Sequence, residues 1–356
     1  MIITDIEIIP YNFRLKEPYE IAYEKIESTD NIFLLLKTNK NITGYGCAAP
    51  DLAITKETKE TVVNFLNGKA RDFLKNKDPL RYAFLMDSLK NMDKNNSSAL
   101  ASVDMALLDI LGKISNLPLF KLFGAYRTSF PTSVTIGIMN IPDTLKKATG
   151  FIKDGFKIIK LKGGKNIEED IEKIIKIREL AKDKIAIRFD ANQGYSLEDV
   201  KTFFNKTKNA KVQLIEQPSP KHNDYQLGES TRSVDIPIMA DESLMSLKDA
   251  FRLARKDIVD MINIKLMKVG GIIEAVNINA VAKSAGLEAM IGCMDESCLS
   301  ISAALHFALS RPNVIYADLD GHLDLLKDPF ANSIILKHGI LYPTDKPGLG
   351  LNISDF

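Results

Sequence analysis

Three acidic residues in the middle of the chain could together bind a metal ion. Asp190, Glu216 and Asp241 each end a short apolar run, in the stretches IRFD, QLIE and IMAD. Carboxylates brought together on neighbouring strands repel one another unless a cation lies between them. Carboxylates without a histidine or cysteine beside them favour a hard ion, so we expect one Mg²⁺ per subunit. A single acid would more simply cap the next helix, but three on consecutive strands favour the metal.

Lysines flank these acids and could carry out acid–base chemistry. Lys160 and Lys162 are one residue apart in KIIKLKGG and so share a strand face, while Lys265 ends a strand in NIKLMK. A lysine that acts as a base needs its pKa lowered from about 10.4 to roughly 7–8. Lys160 beside Lys162, with a divalent cation nearby, would supply that shift by repulsion. Alone, KIIKLKGG predicts solvated lysines; together with Lys265 and the acids it predicts catalytic ones.

Other polar residues receive weaker assignments. Asp318 and Asp320 in YADLDG share a strand face and suit a substrate ammonium group, although an Asx turn at LDG is an alternative for Asp320. Glu242 is expected to point away from the metal and to hydrogen-bond a lysine, and Lys268 to be structural or solvent-facing. The histidines are scattered without a partner acid and nucleophile, which excludes a hydrolytic triad.

The residues above belong to a regular repeat. Eight short apolar runs follow residue 130, and one polar or special residue near the end of each recurs every 24 to 28 residues: Thr135, Lys162, Asp190, Glu216, Asp241, Lys265, Cys293 and Asp318. Successive βα units of this length close into a barrel whose strands carry the active site at their carboxyl ends. An open doubly wound sheet is disfavoured, because the glycine-rich turn after its first strand is missing.

Strand positions in such a barrel predict the chemistry. Strands two and six lie opposite each other, so Lys162 and Lys265 would face a bound ligand from two sides, with the metal between them. This arrangement suits removal of a proton next to a carboxylate and its return on the other face, which is racemisation or epimerisation. Asp318 and Asp320 would lie across the barrel from the metal.

Composition limits the class of protein. The chain has 356 residues, 47 Lys and Arg against 46 Asp and Glu, and a net charge of +1, so we expect no nucleic-acid or membrane partner. Three cysteines form no disulfide framework, and the start of the chain does not read as a signal peptide, so a cytoplasmic location is expected. From the sequence we expect an α+β domain over residues 1–125, the barrel over 126–320, and a segment that packs back on the first domain over 321–356.

The motifs together resemble the enolase superfamily, in its muconate-lactonizing subgroup, and within it the dipeptide epimerases. They are IKLKGG, DANQGY, IEQP, ADES, NIKLMKVGG, GCMDES and ADLDG, spread over essentially the whole length. The family is an established example of Lys bases combined with Mg²⁺. The resemblance implies a modified TIM-like (β/α)7β barrel with an α+β capping domain, whose loops near residues 15–30 and 50–56 close over the site, in a protein expected to be a homo-oligomer.

The resemblance also implies residue roles. Lys162 and Lys265 would form the acid/base pair acting through an enediolate, with Lys160 assisting. Asp190, Glu216 and Asp241 would bind Mg²⁺, and Asp318 and Asp320 the amino terminus of a dipeptide. Four more residues are expected to contact the substrate: Thr135, Cys293, Glu24 and Ile54. Asn192 and Glu242 are expected to support the residues that do so.

One departure bears on the substrate. Relatives selective for Ala-Glu carry an arginine in the first capping loop, and here EPYEIAYEK places Glu24 at that position. A neutral or cationic C-terminal residue is therefore expected. The alternatives are an Ala-Glu epimerase acting on murein-derived peptide, a cycloisomerase, o-succinylbenzoate synthase or N-acylamino acid racemase on the same scaffold, and a non-catalytic binding protein.

Overall fold

The computed structural model describes residues 1–20 and 25–354. The strands, in chain order, are β1 (Ile3–Glu20), β2 (Lys25–Thr38), β3 (Thr43–Ala48), β4 (Phe130–Pro131), β5 (Val134–Ile136), β6 (Ile158–Lys162), β7 (Ala186–Asp190), β8 (Val212–Glu216), β9 (Ile238–Ala240), β10 (Met261–Lys265), β11 (Glu288–Gly292), β12 (Val314–Asp318), β13 (Ile334–Lys337) and β14 (Ile340–Pro343).

The α-helices are α1 (Lys59–Phe65), α2 (Arg71–Leu74), α3 (Tyr82–Met92), α4 (Ser97–Ile114), α5 (Leu119–Leu122), α6 (Ile141–Lys153), α7 (Ile167–Ala181), α8 (Leu197–Thr207), α9 (Asp224–Ser233), α10 (Leu247–Arg255), α11 (Leu266–Val269), α12 (Ile272–Ser284) and α13 (Cys298–Ser310). None of the described helices is both long and apolar enough to cross a membrane.

The N-terminal part is an antiparallel sheet, ordered β1–β2–β3, packed against helices. Successive side chains of β2 point to opposite faces: Ile32 and Leu34 pack with the capping helices, whereas Phe33 and Leu35 belong to the core shared with the barrel. The helix α4 packs closely on β3, and a Cβ at Gly46 would lie 1.8 Å from the Ser102 carbonyl oxygen. The glycine-rich run GYGCAAP is therefore the contact between sheet and helix.

The second part is the predicted barrel. Strands β5 to β12 form one parallel sheet in sequence order, with a helix on each of the seven connections. The first and last strands meet through the Ser133 amide, which donates to the Ala317 carbonyl oxygen at 3.1 Å. Leu214, Met239, Met261 and Met290 fill the interior below the strands' carboxyl ends. The prediction of a (β/α)7β barrel with a capping domain is confirmed.

The C-terminal segment joins the two parts. β14 pairs with β13 and β4, and Leu325 forms a bridge with Leu15 of β1. The Leu119 amide donates to the Gly348 carbonyl oxygen at 2.8 Å. The connection that leaves β12 is thereby held against β1, next to the mouth of the barrel.

Candidate active site

A cavity of about 120 Å³ opens at the carboxyl ends of the barrel strands and is roofed by the capping domain. The residues predicted from the sequence that line it are Ile54, Thr135, Lys160, Lys162, Asn192, Asp241, Glu242, Lys265, Cys293, Asp318 and Asp320. Asp190 and Glu216 lie directly beneath, at the ends of β7 and β8, and both are buried. Glu24 lies outside the described residues.

The three acids are not helix caps. The helices that follow β7, β8 and β9 are capped by other side chains: Ser196, Asn223 and Ser246 accept hydrogen bonds from the first turns of α8, α9 and α10. Asp190, Glu216 and Asp241 are instead turned into the barrel mouth. The simpler explanation for acids at these positions is therefore excluded.

Lys160 lies at the centre of this carboxylate cluster. Its Nζ is 2.7 Å from Glu216 Oε2, 3.2 Å from Asp190 Oδ2 and 2.9 Å from Asp318 Oδ2, and the side chain is buried. Asp318 ends a strand across the barrel from Glu216, as expected, but its carboxylate is not isolated from the acids on the metal side. The ammonium group of Lys160 lies between them and contacts both. One ammonium group thus ties the two sides of the site together.

The two proposed acid/base lysines approach from opposite sides. Lys162 Nζ is 3.8 Å from Asp190 Oδ2, and Lys265 Nζ is 2.8 Å from Asp241 Oδ2. β6 and β10 are four strands apart in a barrel of eight, so they lie across from each other. Both lysines remain partly accessible to the cavity, with side-chain exposures of 18% and 10%.

The lysine pKa values differ from the sequence-based expectation. Burial disfavours the charged form of Lys265, yet attraction to Asp241 and Glu216 together outweighs it and raises the pKa of this lysine. The pKa of Lys160 is likewise raised, because Asp318, Glu216 and Asp190 together outweigh its desolvation. Lysine–lysine repulsion is weaker here than lysine–carboxylate attraction. A base at Lys265 therefore requires that the charge of Asp241 be balanced by something else.

The acids fit a hard divalent cation. Asp190 Oδ2 and Glu216 Oε2 accept no hydrogen bond of normal angle from the described residues, although both lie near Lys160 Nζ. Burial, with repulsion from Asp190 and Asp241 opposed by Lys160, raises the pKa of Glu216 to about 8. Within the described ranges no three acids form a ready-made ligand set, since lysine ammonium groups share the space. A bound cation would satisfy the orphaned oxygens and reduce the repulsion among the acids.

Three further side chains hold the acids in place. Lys268 is buried and donates to Asp241, through Oδ1 and through the backbone oxygen, so of its two predicted roles the structural one agrees with the contacts and the solvent-facing one is wrong. Asn263 Nδ2 donates to Glu216 Oε1 at 2.8 Å. Gln217 Oε1 accepts from the Asp241 amide at 2.9 Å. All three lie one to three residues from a predicted site residue, in IEQP and NIKLMK, but their orientation could not be read from spacing.

The residues next to two of these acids also face the cavity. Glu242 lines the cavity wall beside Asp241, and its Oε2 has no hydrogen-bond partner among the described residues. Burial, with repulsion from Asp241, raises the pKa of Glu242 to about 7. The backbone N–H of Asn192 donates to Asp190 Oδ1 at 3.0 Å, which fixes the rotation of that carboxylate.

The aspartate pair has two different environments. Asp318 uses both oxygens, one accepting from Ser133 Oγ at 2.5 Å and the other from Lys160. Burial alone would raise its pKa, but Lys160 and Ser133 hold it at about 2. Asp320 accepts from the Thr135 amide at 2.6 Å through Oδ2, and burial with repulsion from Asp318 raises its pKa to about 7. Asp318 is therefore paired with a lysine, whereas Asp320 has no ion-pair partner among the described residues.

The capping domain contributes residues that the motifs did not indicate. Tyr19 Oη donates to Asp295 Oδ2 at 2.7 Å, which links β1 to the loop after β11. Burial raises the pKa of Asp295 to about 6. Asp51 and Asp324 also line the cavity, and its remaining cation, Lys147, is paired with Glu17 at 2.9 Å. Acidic side chains thus surround the mouth as well as the floor.

The cavity's smaller contacts are Thr135, Cys293 and Ile54. Cys293 Sγ donates to the Asp318 carbonyl oxygen at 3.3 Å and accepts from the Gly321 amide at 3.4 Å. Burial raises the pKa of this thiol, so it is a packing group rather than a nucleophile. Ile54 reaches the cavity from the loop after β3. These residues shape the cavity beside the charged groups.

Comparisons with known proteins agree with this geometry. Residues 3–124 match the family model of the mandelate racemase/muconate lactonizing enzyme N-terminal domain, and residues 143–356 that of the enolase C-terminal domain-like family. The chain is 40% identical over 352 residues, 99% of both chains, to the L-Lys-D/L-Arg epimerase of Desulforapulum autotrophicum.

Two solved structures illustrate the likeness. The dipeptide epimerase from Methylococcus capsulatus, complexed with Mg and the dipeptide L-Arg-D-Lys, superposes with a TM-score of 0.95, at 36% identity and 99% coverage of each chain. The substrate-liganded L-Ala-D/L-Glu epimerase from Bacillus subtilis superposes with a TM-score of 0.97, at 32% identity and full coverage of both chains.

Proposed function

This chain belongs to the mandelate racemase/muconate lactonizing enzyme family of the enolase superfamily, and we propose that it is a Mg²⁺-dependent epimerase of dipeptides. Its relatives are epimerases and racemases of amino acid derivatives, so its reaction class is isomerisation. The observation that carries the proposal is the pair of lysines, Lys162 and Lys265, facing one cavity from opposite strands with carboxylates between them.

In the proposed reaction one lysine removes the α-proton of the C-terminal residue and the other returns a proton to the opposite face. Asp190, Glu216 and Asp241 hold the Mg²⁺ ion, which, when bound, draws charge from the substrate carboxylate and so acidifies the α-proton. Lys160 keeps its proton and supplies a fixed positive charge beside the reacting carboxylate. Lys268 keeps Asp241 oriented while Lys265 exchanges its proton.

The amino terminus of the dipeptide is placed against the aspartates that end β12. Asp320 lines the cavity and forms no ion pair with a described lysine or arginine, while burial and repulsion from Asp318 raise its pKa to about 7. An ammonium group supplies a positive charge and hydrogen bonds together. This anchor separates a dipeptide from substrates of cycloisomerases and acylamino-acid racemases, which lack a free amino group.

The side chains of the preferred dipeptide are proposed to be cationic. Asp51, Asp295 and Asp324 line the cavity around its mouth. Two relatives of 40% and 36% identity are L-Lys-D/L-Arg epimerases. A neutral C-terminal residue is the second choice, and a glutamate there would meet like charges. Glu24, whose position suggests the same preference, would add a further acid.

The test is a dipeptide library incubated in D₂O with Mg²⁺ and read by mass and chiral chromatography. Dipeptides that carry Lys or Arg should gain one deuteron at the C-terminal α-carbon and appear as both epimers. Treatment with EDTA should abolish the gain, and added Mg²⁺ should restore it. Exchange confined to N-acylated amino acids, or no exchange in any dipeptide, would contradict the proposal.

A further inference from the structure

The loop that follows β6 comes directly after Lys162, one of the two proposed acid/base lysines. Lys162 is the last residue of β6 and pairs with Asp190, the last residue of β7. Its Nζ lies 3.8 Å from Asp190 Oδ2, which is beyond hydrogen-bond distance. Lys265 Nζ, in contrast, lies 2.8 Å from Asp241 Oδ2. The position of Lys162 therefore depends more on its own backbone than the position of Lys265 does.

That backbone is held by a carboxylate of the next helix. The Gly164 amide donates to Asp170 Oδ2 at 2.8 Å, and Asp170 lies in the first turn of α7. A Cβ at Gly163 would lie 2.6 Å from the same carboxylate, so a larger residue does not fit there. The Gly163 amide in turn donates to the Asp190 carbonyl oxygen at 2.9 Å. The two residues after Lys162 are thus held between α7 and the end of β7.

Tyr195 donates to the same carboxylate oxygen from the loop after β7. Its Oη is 3.0 Å from Asp170 Oδ2. The backbone of Tyr195 is itself fixed on two sides, since its N–H donates to the Pro218 carbonyl oxygen at 2.9 Å and its carbonyl oxygen accepts from Gln226 Nε2 at 2.7 Å. A firmly held hydroxyl group therefore fixes the carboxylate that holds the loop after β6.

Both members of this pair are buried outside the substrate cavity. Asp170 and Tyr195 are each 3% exposed, and neither lines the cavity. A buried carboxylate is unfavourable unless its oxygens accept hydrogen bonds, so the two donors and Asp170 hold one another in place. The pair has no direct access to a substrate and can act on the reaction only through the residues that it holds.

We propose that Asp170 and Tyr195 are positioning residues for Lys162, acting through the backbone of Gly163 and Gly164. The inference deepens the proposed function and rests on it. Lys265 lies on β10, across the barrel from β6. Loosening the pair should therefore affect proton transfer at one face of the α-carbon much more than at the other.

The kinetic test measures α-proton exchange in D₂O, started separately from each epimer of one dipeptide. The epimer served by Lys162 is identified as the one whose exchange is lost in Lys162→Met. Because misplacing a catalytic group by about 1 Å can slow a reaction about a hundredfold, Asp170→Ala should slow exchange of that epimer about ten- to a hundredfold and of the other less than about threefold. Tyr195→Phe, which removes one hydrogen bond, should slow the same epimer about two- to tenfold.

Two further variants serve as controls. Asp170→Asn keeps an oxygen that can accept from Gly164 and Tyr195, so it should recover most of what Asp170→Ala loses. Tyr11→Phe is the matched loss of a hydroxyl group, because Tyr11 Oη donates to the Lys327 carbonyl oxygen at 3.1 Å and Tyr11 does not line the cavity. Exchange of both epimers should be unchanged in Tyr11→Phe.

Three kinetic outcomes would overturn the inference. Equal slowing of both epimers in Asp170→Ala and Tyr195→Phe would mean that the pair stabilises the whole site rather than Lys162. Equal losses in Asp170→Asn and Asp170→Ala would mean that the charge of Asp170 acts, not its hydrogen bonds. A Tyr195→Phe variant indistinguishable from Tyr11→Phe would exclude Tyr195. Because Tyr195→Phe keeps the buried ring, it tests the inference even if Asp170→Ala fails to fold.

The second experiment does not depend on activity. Crystal structures of Asp170→Ala and Tyr195→Phe should show residues 163–164 displaced and Lys162 Nζ moved relative to Asp190, with Lys265 in place. An unmoved Lys162 would refute the positioning role. If the wild-type enzyme exchanges no dipeptide proton, the proposed function fails, while these structures still decide whether Asp170 and Tyr195 position Lys162.

Discussion

Replacing Lys265 by methionine separates the catalytic role of this lysine from its structural one. The substitution removes the ammonium group and keeps most of the buried volume. In the wild type, Lys265 Nζ is 2.8 Å from Asp241 Oδ2, with side-chain exposures of 10% and 3%. Removing one partner of a buried ion pair generally destabilises a protein by about 3–5 kcal/mol, because a charge is left alone.

Here Asp241 is not left alone, because Lys268 also donates to it. We therefore expect the free energy of unfolding to fall by only about 1.5–3 kcal/mol, the value of a single charged hydrogen bond, so the variant should fold. The effect on catalysis should be larger, since a positioned general base contributes about 10²- to 10⁴-fold. Loss of Lys265 should remove that factor from one face of the α-carbon only.

The assay is α-proton exchange in D₂O, started separately from each epimer of one dipeptide. With Lys265→Met, exchange from one epimer should fall about a thousandfold, while the other epimer, served by Lys162, should still exchange and epimerisation should stop. Lys268→Met is the control: it touches the same carboxylate but should slow exchange of both epimers together. Equal loss from both epimers in Lys265→Met, or retained epimerisation, would refute the two-base assignment.

Other expectations follow from individual contacts. Lys162→Met should give the mirror image, abolishing exchange of the epimer that survives in Lys265→Met; loss of the same epimer in both variants would contradict the opposed geometry. N-acetylated dipeptides should lose about ten- to a hundredfold in kcat/KM, the value of a charged hydrogen bond, and Asp320→Asn should erase that difference. Asp295→Asn should reduce kcat/KM at pH 8 about five- to thirtyfold for dipeptides ending in Lys or Arg. Opposite charges 4–5 Å apart attract by about 3–4 kcal/mol, and solvent screening reduces that attraction to about 1–2 kcal/mol. If the ratio of kcat/KM for a dipeptide ending in Lys to one ending in Leu is unchanged, Asp295 does not face the side chain. Burial lowers the pKa of His306 to about 4, so the unfolded chain takes up a proton below pH 6.5 that the native chain does not, and the contribution of His306 alone to stability should fall by about 3 kcal/mol between pH 6.5 and 4. Urea unfolding of wild type and His306→Asn, whose Oδ1 can still accept from the Phe120 amide, should show a flatter pH dependence in the variant, and parallel curves would exclude His306 as the cause.

Much of the fold and the identity of the charged residues could be predicted from the sequence, because both depend on order along the chain. Parallel βα units have a nearly constant length, so polar residues 24 to 28 apart must collect at one end of a barrel. That rule alone brings Asp190, Glu216 and Asp241 to neighbouring strands and sets Lys162 opposite Lys265. The alternation of a strand likewise places Lys160 and Lys162 on one face.

The contacts among these residues depended on the tertiary structure. Side-chain rotation across the barrel mouth decides which groups lie near the Lys160 ammonium. Carboxylates from three strands contact it, and their attraction outweighs the repulsion from the neighbouring Lys162. Lys268 turned out to be buried because the short helix α11 points it back at Asp241. Ser133 and Tyr19 acquire their roles only where β5 meets β12 and where β1 meets the loop after β11. Residue spacing defines which strand end a group occupies, but the hydrogen bonds of a buried charge depend on every chain segment that closes over it.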